Sequence, residues 1–166
     1  EFLAFAADPS DLVIFSMSTF KTEQICHEHT QPPEFISFSR NSCKQIISCS
    51  YQENCVKLLE FDPITAKWAV GPKGDLVIPH QNGHRAKVFR ASFNCDDSNI
   101  VAISKNSISC WDTQTKNLIN TASNEIFTEH CTSLAMHPYI PNIAFIGCKS
   151  GRASIWDTNL GEVIVP

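Results

Sequence analysis

The sequence predicts an all-β chain made of consecutive β-propeller blades, and two observations lead to this fold class. First, Gly83-His84 and Trp111-Asp112 bracket a segment of alternating apolar residues. These dipeptides mark the opening and the closing of a four-stranded antiparallel blade in one family of repeat proteins. Second, the unit recurs, because Trp156-Asp157 closes a similar segment 45 positions after Trp111. A blade takes about 40–45 residues, so the spacing fits neighbouring blades.

Three strands are predicted between the two dipeptides, at 88–93, 100–103 and 107–111. Residues 96–99 (Asp-Asp-Ser-Asn) and 105–106 (Lys-Asn) supply the turns, since Asp and Asn tolerate tight-turn backbone angles. A polar turn follows Trp111-Asp112, and the apolar pair Leu118-Ile119 comes after it. The last blade repeats this rhythm with strands at 132–136, 143–147 and 153–157.

The first part of the chain carries the same pattern without its tryptophan. Strands are predicted at 35–38, 45–49 and 56–59, with Leu59 in the tryptophan's place. The start of the chain resembles the second half of a further blade, with Phe15 in that place. Leu59 follows Phe15 by 44 positions, but Trp111 follows Leu59 by 52. The sequence therefore predicts additional residues between the second and third blades.

We therefore predict about three and a half WD40-type propeller blades, which form an incomplete ring. The expected divisions are a partial blade at 1–28, a blade at 29–68, an insertion loop at 69–82, and blades at 83–120 and 121–166. An open ring leaves unpaired strand edges at both ends. We accordingly expect the chain to be part of a longer propeller, whose other blades close the ring. The loop at 69–82 is either a partner-binding element or a tolerated insertion.

The order of these segments resembles the WD-repeat region of the bromodomain-and-WD-repeat proteins, over nearly the whole chain apart from roughly 69–82. The Trp68 that follows a blade end is the feature least typical of WD repeats in general. The resemblance implies a nuclear, chromatin-associated protein that recruits partners. Bromodomains would lie beyond this chain, so acetyl-lysine recognition is assigned to no residue here. The matching segments are Phe2-Leu3-Ala4 with the run to Ile14-Phe15, Leu59-Glu60-Phe61 with Lys67-Trp68, and His137-Pro138-Tyr139 with Pro141, Gly151 and Trp156-Asp157.

Composition limits the classes of partner. The chain is 43% hydrophobic and 18% charged, with a net charge of −4 and a pI near 5.8. Such a balance argues against a broad phosphate-binding surface, so no direct nucleic-acid partner is expected. No apolar run approaches membrane-spanning length, so no membrane partner is expected either.

The eight cysteines predict a reduced, intracellular protein with thiols in its core. No two of them are spaced as a Cys-x-x-Cys zinc pair. The even count leaves a secreted disulfide scaffold as the alternative, but a chain of this length has enough core without disulfides. The cysteines stand at positions 26, 43, 49, 55, 95, 110, 131 and 148.

Two clusters carry residues that metal or catalytic sites use. His27 and His29 would share one side of an extended strand and bind a metal. Alternatively, His29 is the opening histidine of a blade, which is the interpretation that we favour, with no metal or cofactor. His130 and Cys131 are neighbours in a predicted strand, so their side chains face opposite ways and cannot act as a base and a nucleophile together.

The densest basic group is Arg85, Lys87 and Arg90. It is either a contact for an acidic partner or, as we favour, a solvated blade entrance. His84 would join a hydrogen-bond network with an aspartate in the turn before the last strand. The corresponding turns are Lys105-Asn106 and Ser150-Gly151, which offer none.

The sequence thus predicts a non-catalytic protein–protein interaction scaffold, chromatin-associated and linked to transcription regulation, with histones or chromatin factors as partners. One alternative is a substrate receptor of a cullin-RING ubiquitin ligase. Such receptors often carry arginine where this chain has Gln114 and Asn159. The alternative from another class is an enzyme or a metalloprotein. The sequence identifies no partner-binding residues.

Overall fold

In the computed structural model, which describes residues 1–7, 9–79, 86–122 and 130–165, the chain is built from β-strands. No helix occurs in these ranges, and so no helix in them is long and apolar enough to cross a bilayer. The strands are β1 Phe2–Ala7, β2 Asp11–Ser16, β3 Lys21–Cys26, β4 Phe35–Phe38, β5 Gln45–Ser50, β6 Cys55–Asp62, β7 Lys67–Leu76, β8 Val88–Phe93, β9 Asn99–Ser104, β10 Ile108–Asp112, β11 Leu118–Ala122, β12 Cys131–Met136, β13 Ile143–Cys148, β14 Ala153–Asp157 and β15 Glu162–Val165.

The strands form four antiparallel sheets in chain order. Sheet 1 contains β1–β3, and sheets 2, 3 and 4 contain β4–β7, β8–β11 and β12–β15. Each strand pairs with the one before and after it, as in a meander. This arrangement confirms the predicted all-β fold class of propeller blades. Sheet 1 differs from the others in having three strands.

Successive sheets pack face to face through three apolar clusters. The cluster between sheets 1 and 2 includes Ile14 and Leu59, the one between sheets 2 and 3 includes Trp111, and the one between sheets 3 and 4 includes Trp156. Both tryptophans are buried, as the repeat pattern predicts. Burial of both faces is clearest in β5 and β9, the second strands of sheets 2 and 3, in which every residue after the first is buried.

The register identifies equivalent positions in different sheets. Trp111 lies opposite Ile100, and Leu59 lies opposite Ile46 at the corresponding point of sheet 2. Leu59 therefore does take the tryptophan's place relative to the second strand. A β-bulge also falls directly before Phe15, Trp111 and Trp156, which places these residues at one point of the repeat.

The outward faces of sheets 1 and 4 are apolar at positions that internal sheets bury. Phe145 of sheet 4 is 40% exposed, whereas Val101, at the same point of sheet 3, is fully buried. In sheet 1, Leu3 and Phe5 are exposed. We predict that further blades cover these two faces, and this stays a prediction.

The predicted insertion loop at 69–82 is wrong over its first half. Residues 69–76 belong to β7, the fourth strand of sheet 2, and residues 80–82 lie outside the described residues. The strand escaped detection because Gly71, Pro72 and Gly74 resemble a loop in sequence. They form a wide bulge instead, since Val70 pairs with Leu59 and Asp75 with Lys57.

Candidate interaction site between sheets 1 and 2

The β6–β7 hairpin extends further than its counterparts. In sheet 3, Asp112 ends β10 and accepts hydrogen bonds from the Gln114 amide (3.1 Å) and the Thr115 hydroxyl (2.8 Å). In sheet 2, Asp62 makes the same turn, with the Ile64 amide at 2.9 Å and the Thr65 hydroxyl at 2.7 Å. Asp62 lies three residues after Leu59, whereas Asp112 directly follows Trp111. The hairpin is therefore longer by two residues on each strand.

The added residues bring Phe61 opposite Trp68 and create an aromatic cluster. The ring centroid of Trp68 lies 5.4 Å from that of Phe61, 5.9 Å from Phe38 and 6.3 Å from Phe2. The last two contacts are edge-to-face, a favourable arrangement for aromatic pairs. Since Phe2 belongs to sheet 1 and the other three to sheet 2, the cluster joins the two sheets.

A polar contact holds Trp68 in the same place. The Gln24 side-chain amide donates to the Trp68 carbonyl oxygen at 2.6 Å, and its oxygen accepts from the Trp68 N–H at 2.7 Å. One side chain of β3 thus satisfies both backbone groups of a residue in β7. The outer strands of sheets 1 and 2 are fixed to each other at this point.

Beside the cluster lies a groove, here called the aromatic groove, with a volume of about 420 Å³. A second depression of about 230 Å³ shares Phe2, Phe61 and Trp68 with it. Most of the groove's lining is apolar, and the exposed Cys43 and Lys44 form part of its wall. Its lining residues are Glu1, Phe2, Phe38, Ser42, Cys43, Lys44, Phe61 and Trp68.

The wall that carries Ser42, Cys43 and Lys44 is anchored from sheet 3. The carboxylate of Asp97 accepts hydrogen bonds from the backbone N–H groups of Arg40 and Asn41, both at 2.7 Å. Charge-assisted bonds of this kind are stronger than neutral ones. The wall is therefore held in position before any partner arrives.

An ion pair fixes the hairpin to sheet 3. The Lys116 ammonium lies 2.7 Å from the Glu60 carboxylate, with Gln45 donating to the same oxygen at 2.9 Å. Burial would raise the pKa of Glu60, but hydrogen bonds from Lys116 and Gln45 outweigh it and hold the pKa below its ordinary value. Glu60 is thus ionised at neutral pH and retains this contact.

His29 is the centre of a buried polar network. Its Nδ1 contacts the Glu53 carboxylate, and its Nε2 lies 2.7 Å from the Ser48 hydroxyl. Glu53 also accepts from the Thr30 amide and hydroxyl. Burial would raise the pKa of Glu53, but the bonds from Thr30 and His29 lower it below the ordinary value. The network ties residues 29–31 to the β5–β6 turn.

The expected shared face of His27 and His29 is wrong, because β3 ends at Cys26 before either histidine. His27 is exposed, with Nδ1 2.7 Å from Asp11 Oδ1, whereas His29 is buried. Within the described ranges, no group of three or more His, Cys, Asp or Glu side chains is arranged to hold a metal ion.

The remaining sequence candidates lie apart from the groove. Lys87 stacks over the Tyr51 ring at 4.4 Å, and Arg90 lies 5.6 Å from the Phe35 ring centre. Both cations thus have aromatic partners within the fold. Gly83, His84 and Arg85 lie outside the described residues. His130 is exposed while Cys131 is buried, so the two side chains do face opposite ways.

Most of the cysteines are core residues. Cys26, Cys49, Cys55, Cys110 and Cys131 are buried, and only Cys43 is exposed. Burial raises the pKa of the Cys26 thiol to about 11 and the pKa values of Cys49, Cys110 and Cys131 to about 12. Their thiolate forms are scarce at neutral pH and solvent hardly reaches them, which makes these thiols slow to react with reagents in solution.

No protein-family model matches the chain, and no curated protein matches its sequence. Solved structures do match. One chain of the crystal structure of the mitotic checkpoint complex superposes with a TM-score of 0.75 at 16% identity, covering 98% of this chain and 47% of that one. The crystal structure of the computationally designed Ika4 protein superposes with a TM-score of 0.67 at 17% identity, covering 94% of this chain and 84% of that one.

These likenesses define the class of fold. The mitotic checkpoint complex contains WD40 propeller proteins, and the four meander sheets of this chain match that architecture. The chain therefore has a WD40-like propeller fold, and it spans about half the length of the first of these structural neighbours.

Proposed function

We propose that the chain is a non-catalytic scaffold that binds other proteins, and that the aromatic groove receives a bulky apolar side chain of a partner. The groove itself carries this proposal, because Phe38, Phe61 and Trp68 line about 420 Å³ of open space. Binding sites are commonly concave and mostly apolar, with a few polar groups that fix orientation. The anchoring bonds from Gln24 and Asp97 make this site rigid before binding, which lowers the entropic cost of association.

The charge at the groove indicates which residue should adjoin the apolar anchor. Lys44 lines the groove and makes no ion pair with any carboxylate of the described residues. A carboxylate on the partner would gain a cation there, at the edge of an apolar surface. The proposed partner element is therefore an extended segment with a large apolar residue beside an acidic one.

The resemblance to the bromodomain-and-WD-repeat proteins supports a setting for this activity. We propose that the scaffold works in the nucleus, on chromatin, in transcription regulation, and that its partners are chromatin factors, histones included. The net charge of −4 favours binding to proteins over direct binding to nucleic acid.

Photo-crosslinking from the groove wall tests the proposal. A benzophenone maleimide attached to Cys43, in a protein carrying Cys95→Ser and Cys148→Ser, should crosslink one or a few nuclear proteins from extract. Those two replacements remove the other thiols that are not buried. Lys44→Glu should reduce the crosslinked yield about tenfold, as expected for reversal of one charge contact at a binding site.

Lys149→Glu is the matched control, because Lys149 is an exposed lysine in the β13–β14 turn, away from the groove, and the change of charge is the same. It should leave the yield unchanged. Equal crosslinking by both variants would contradict binding at the groove. Recovery of a ubiquitin-ligase adaptor in place of chromatin factors would favour the substrate-receptor alternative.

A further inference from the structure

Cys131 and Cys148 stand directly opposite each other on β12 and β13. The hydrogen bonds around them define the kind of pair that they form. The Lys149 N–H donates to the His130 carbonyl oxygen, so the neighbouring pair 130/149 is a hydrogen-bonded one. The Cys131 and Cys148 N–H groups point away from each other, to the carbonyl oxygens of Lys105 and Arg152.

The two cysteines are therefore a non-hydrogen-bonded cross-strand pair, the closer of the two antiparallel types. The Cα atoms of such pairs lie about 4.5 Å apart, and side chains of directly opposed residues emerge on the same face. Disulfides span Cα separations of about 4.4–6.8 Å. The typical separation of such a pair therefore falls within the disulfide range, and here the pair lies beside a β-bulge between Cys131 and Ser133. The Cys131 and Cys148 thiols are also within hydrogen-bonding reach of each other.

The two thiols differ in access to solvent. Cys131 is 1% exposed and packs in the cluster between sheets 3 and 4. Cys148 is partly exposed. Burial, together with the neighbouring Cys148 thiol, raises the pKa of Cys131 to about 12. An oxidant from solution thus meets Cys148 first, and Cys131 lies behind it as a second thiol that solvent does not reach.

We propose that Cys131 and Cys148 form a reversible intramolecular disulfide when the protein meets a hydroperoxide. The Cys148 sulfur attacks the O–O bond and becomes a sulfenic acid, with release of one water. Cys131 then loses its proton, attacks the Cys148 sulfur and displaces the second water. Overall, two thiols give up two electrons and two protons, and one hydrogen peroxide becomes two waters. A thiol reductant reverses the change.

The disulfide would act at the contact between sheets 3 and 4. The Cys131 N–H donates to the Lys105 carbonyl oxygen in the β9–β10 turn at 2.9 Å, so a covalent link on Cys131 also restrains this contact. The modification site is separate from the aromatic groove, which lies between sheets 1 and 2. The proposed disulfide is therefore independent of the proposed binding role.

Peptide mapping after treatment with hydrogen peroxide tests the inference. The expected product is a species 2 Da lighter, in which the peptides containing Cys131 and Cys148 are joined, and dithiothreitol should restore the thiols. With Cys131→Ser, a sulfenic acid should accumulate at Cys148 and be trapped by dimedone. With Cys148→Ser, Cys131 should stay reduced, because it is buried.

Cys49 and Cys55 provide the internal control. They lie on adjacent strands, but Cys49 is opposite Val56 and Cys55 is opposite Ser50, so they occupy neighbouring pairs and face opposite sides. The 131–148 disulfide should form at least about tenfold faster than a 49–55 disulfide, given the difference in access and geometry. Equal rates for the two pairs, or conversion of Cys148 to sulfinic acid without a disulfide, would overturn the proposal.

Discussion

The β6–β7 and β10–β11 hairpins occupy the same place in neighbouring sheets, but they differ in length and in what they contact. Counted from the turn aspartates Asp62 and Asp112, Trp68 and Leu118 hold the same place at the end of the hairpin. Counted from the shared position of Leu59 and Trp111, the counterpart of Leu118 is Val70, so Trp68 belongs to the added residues. Trp68 is 4% exposed and packs against sheet 1, whereas Leu118 is 43% exposed. The comparison teaches that two added residues per strand place an aromatic side chain against sheet 1, with a groove beside it, where the shorter hairpin ends in solvent.

Replacing Trp68 and Leu118, the residues at the ends of the two hairpins, by alanine should give the largest contrast. Trp68→Ala should lower the free energy of unfolding by about 3–5 kcal/mol, the range for a buried large aromatic, and Trp111→Ala should do the same. Leu118→Ala should change it by less than about 0.5–1 kcal/mol, because much of its side chain is already in water. Urea unfolding measures all three. If Leu118→Ala lowered the free energy of unfolding as much as Trp68→Ala, the two hairpins would not differ as described.

The bulge of β7 offers a smaller contrast between two glycines. A Cβ atom on Gly74 would lie 2.4 Å from Val70 Cγ1 and 2.9 Å from the Leu58 carbonyl oxygen. On Gly71 it would meet only the Glu60 carboxylate, at 3.5 Å. Gly74→Ala should therefore cost about 1–3 kcal/mol, the usual cost of overpacking. Gly71→Ala is the control and should be nearly neutral in the same unfolding experiment.

The Glu53 network should make stability depend on pH in sheet 2. The pKa of Glu53 is below its ordinary value of 4.5 in the folded protein, so its contribution is complete above that value. The contribution is lost as the pH falls through the lower, folded pKa. The melting temperature of the wild type should therefore fall more than that of Glu53→Gln as the pH is lowered from about 6 through the ordinary carboxyl pKa and on through the lower, folded one. If the melting temperatures of the two proteins fell equally with pH, the result would contradict the contribution of the Glu53 network.

Much of the repeat could be predicted from the sequence, because apolar alternation and the Trp-Asp spacing identify the buried strands of sheets 3 and 4. The outer strands β3 and β15 were missed, since they are short and mostly exposed and carry no core pattern of their own. The position of Trp68 after a blade end is irregular in the sequence, but its partners Phe2 and Phe38 are brought to it only by the packing of two sheets. Long-range packing of this kind leaves no local signal.

The His29–Glu53 network shows a second reason why the sequence predicts only part of the structure. The sequence indicates His29 as a blade's opening histidine, and the pattern of such blades predicts an aspartate as the acidic partner, which the turns of sheets 3 and 4 lack. The acidic partner is present in sheet 2 as Glu53, in the β5–β6 turn. Glutamate can replace aspartate at this turn, because either carboxylate accepts hydrogen bonds from histidine and from backbone N–H groups.

The smallest expected effect concerns the wall of the aromatic groove. Lys44→Glu should leave the melting temperature within about 1 °C of the wild type, because Lys44 is exposed and substitutions at such sites rarely change stability. Differential scanning calorimetry measures this. A clear loss of stability would mean that Lys44 supports the fold, and its effect on crosslinking would then not report on partner binding.

The contrast between the two hairpins is tested most directly by hydroxyl-radical footprinting of the native protein, read residue by residue by mass spectrometry. Trp68 should be protected and Leu118 should be oxidised, although an indole is intrinsically the more reactive group. Trp111, buried at the regular hairpin, serves as the protected reference. Rapid oxidation of Trp68, at a rate comparable to that in the unfolded chain, would contradict the aromatic contact between sheets 1 and 2.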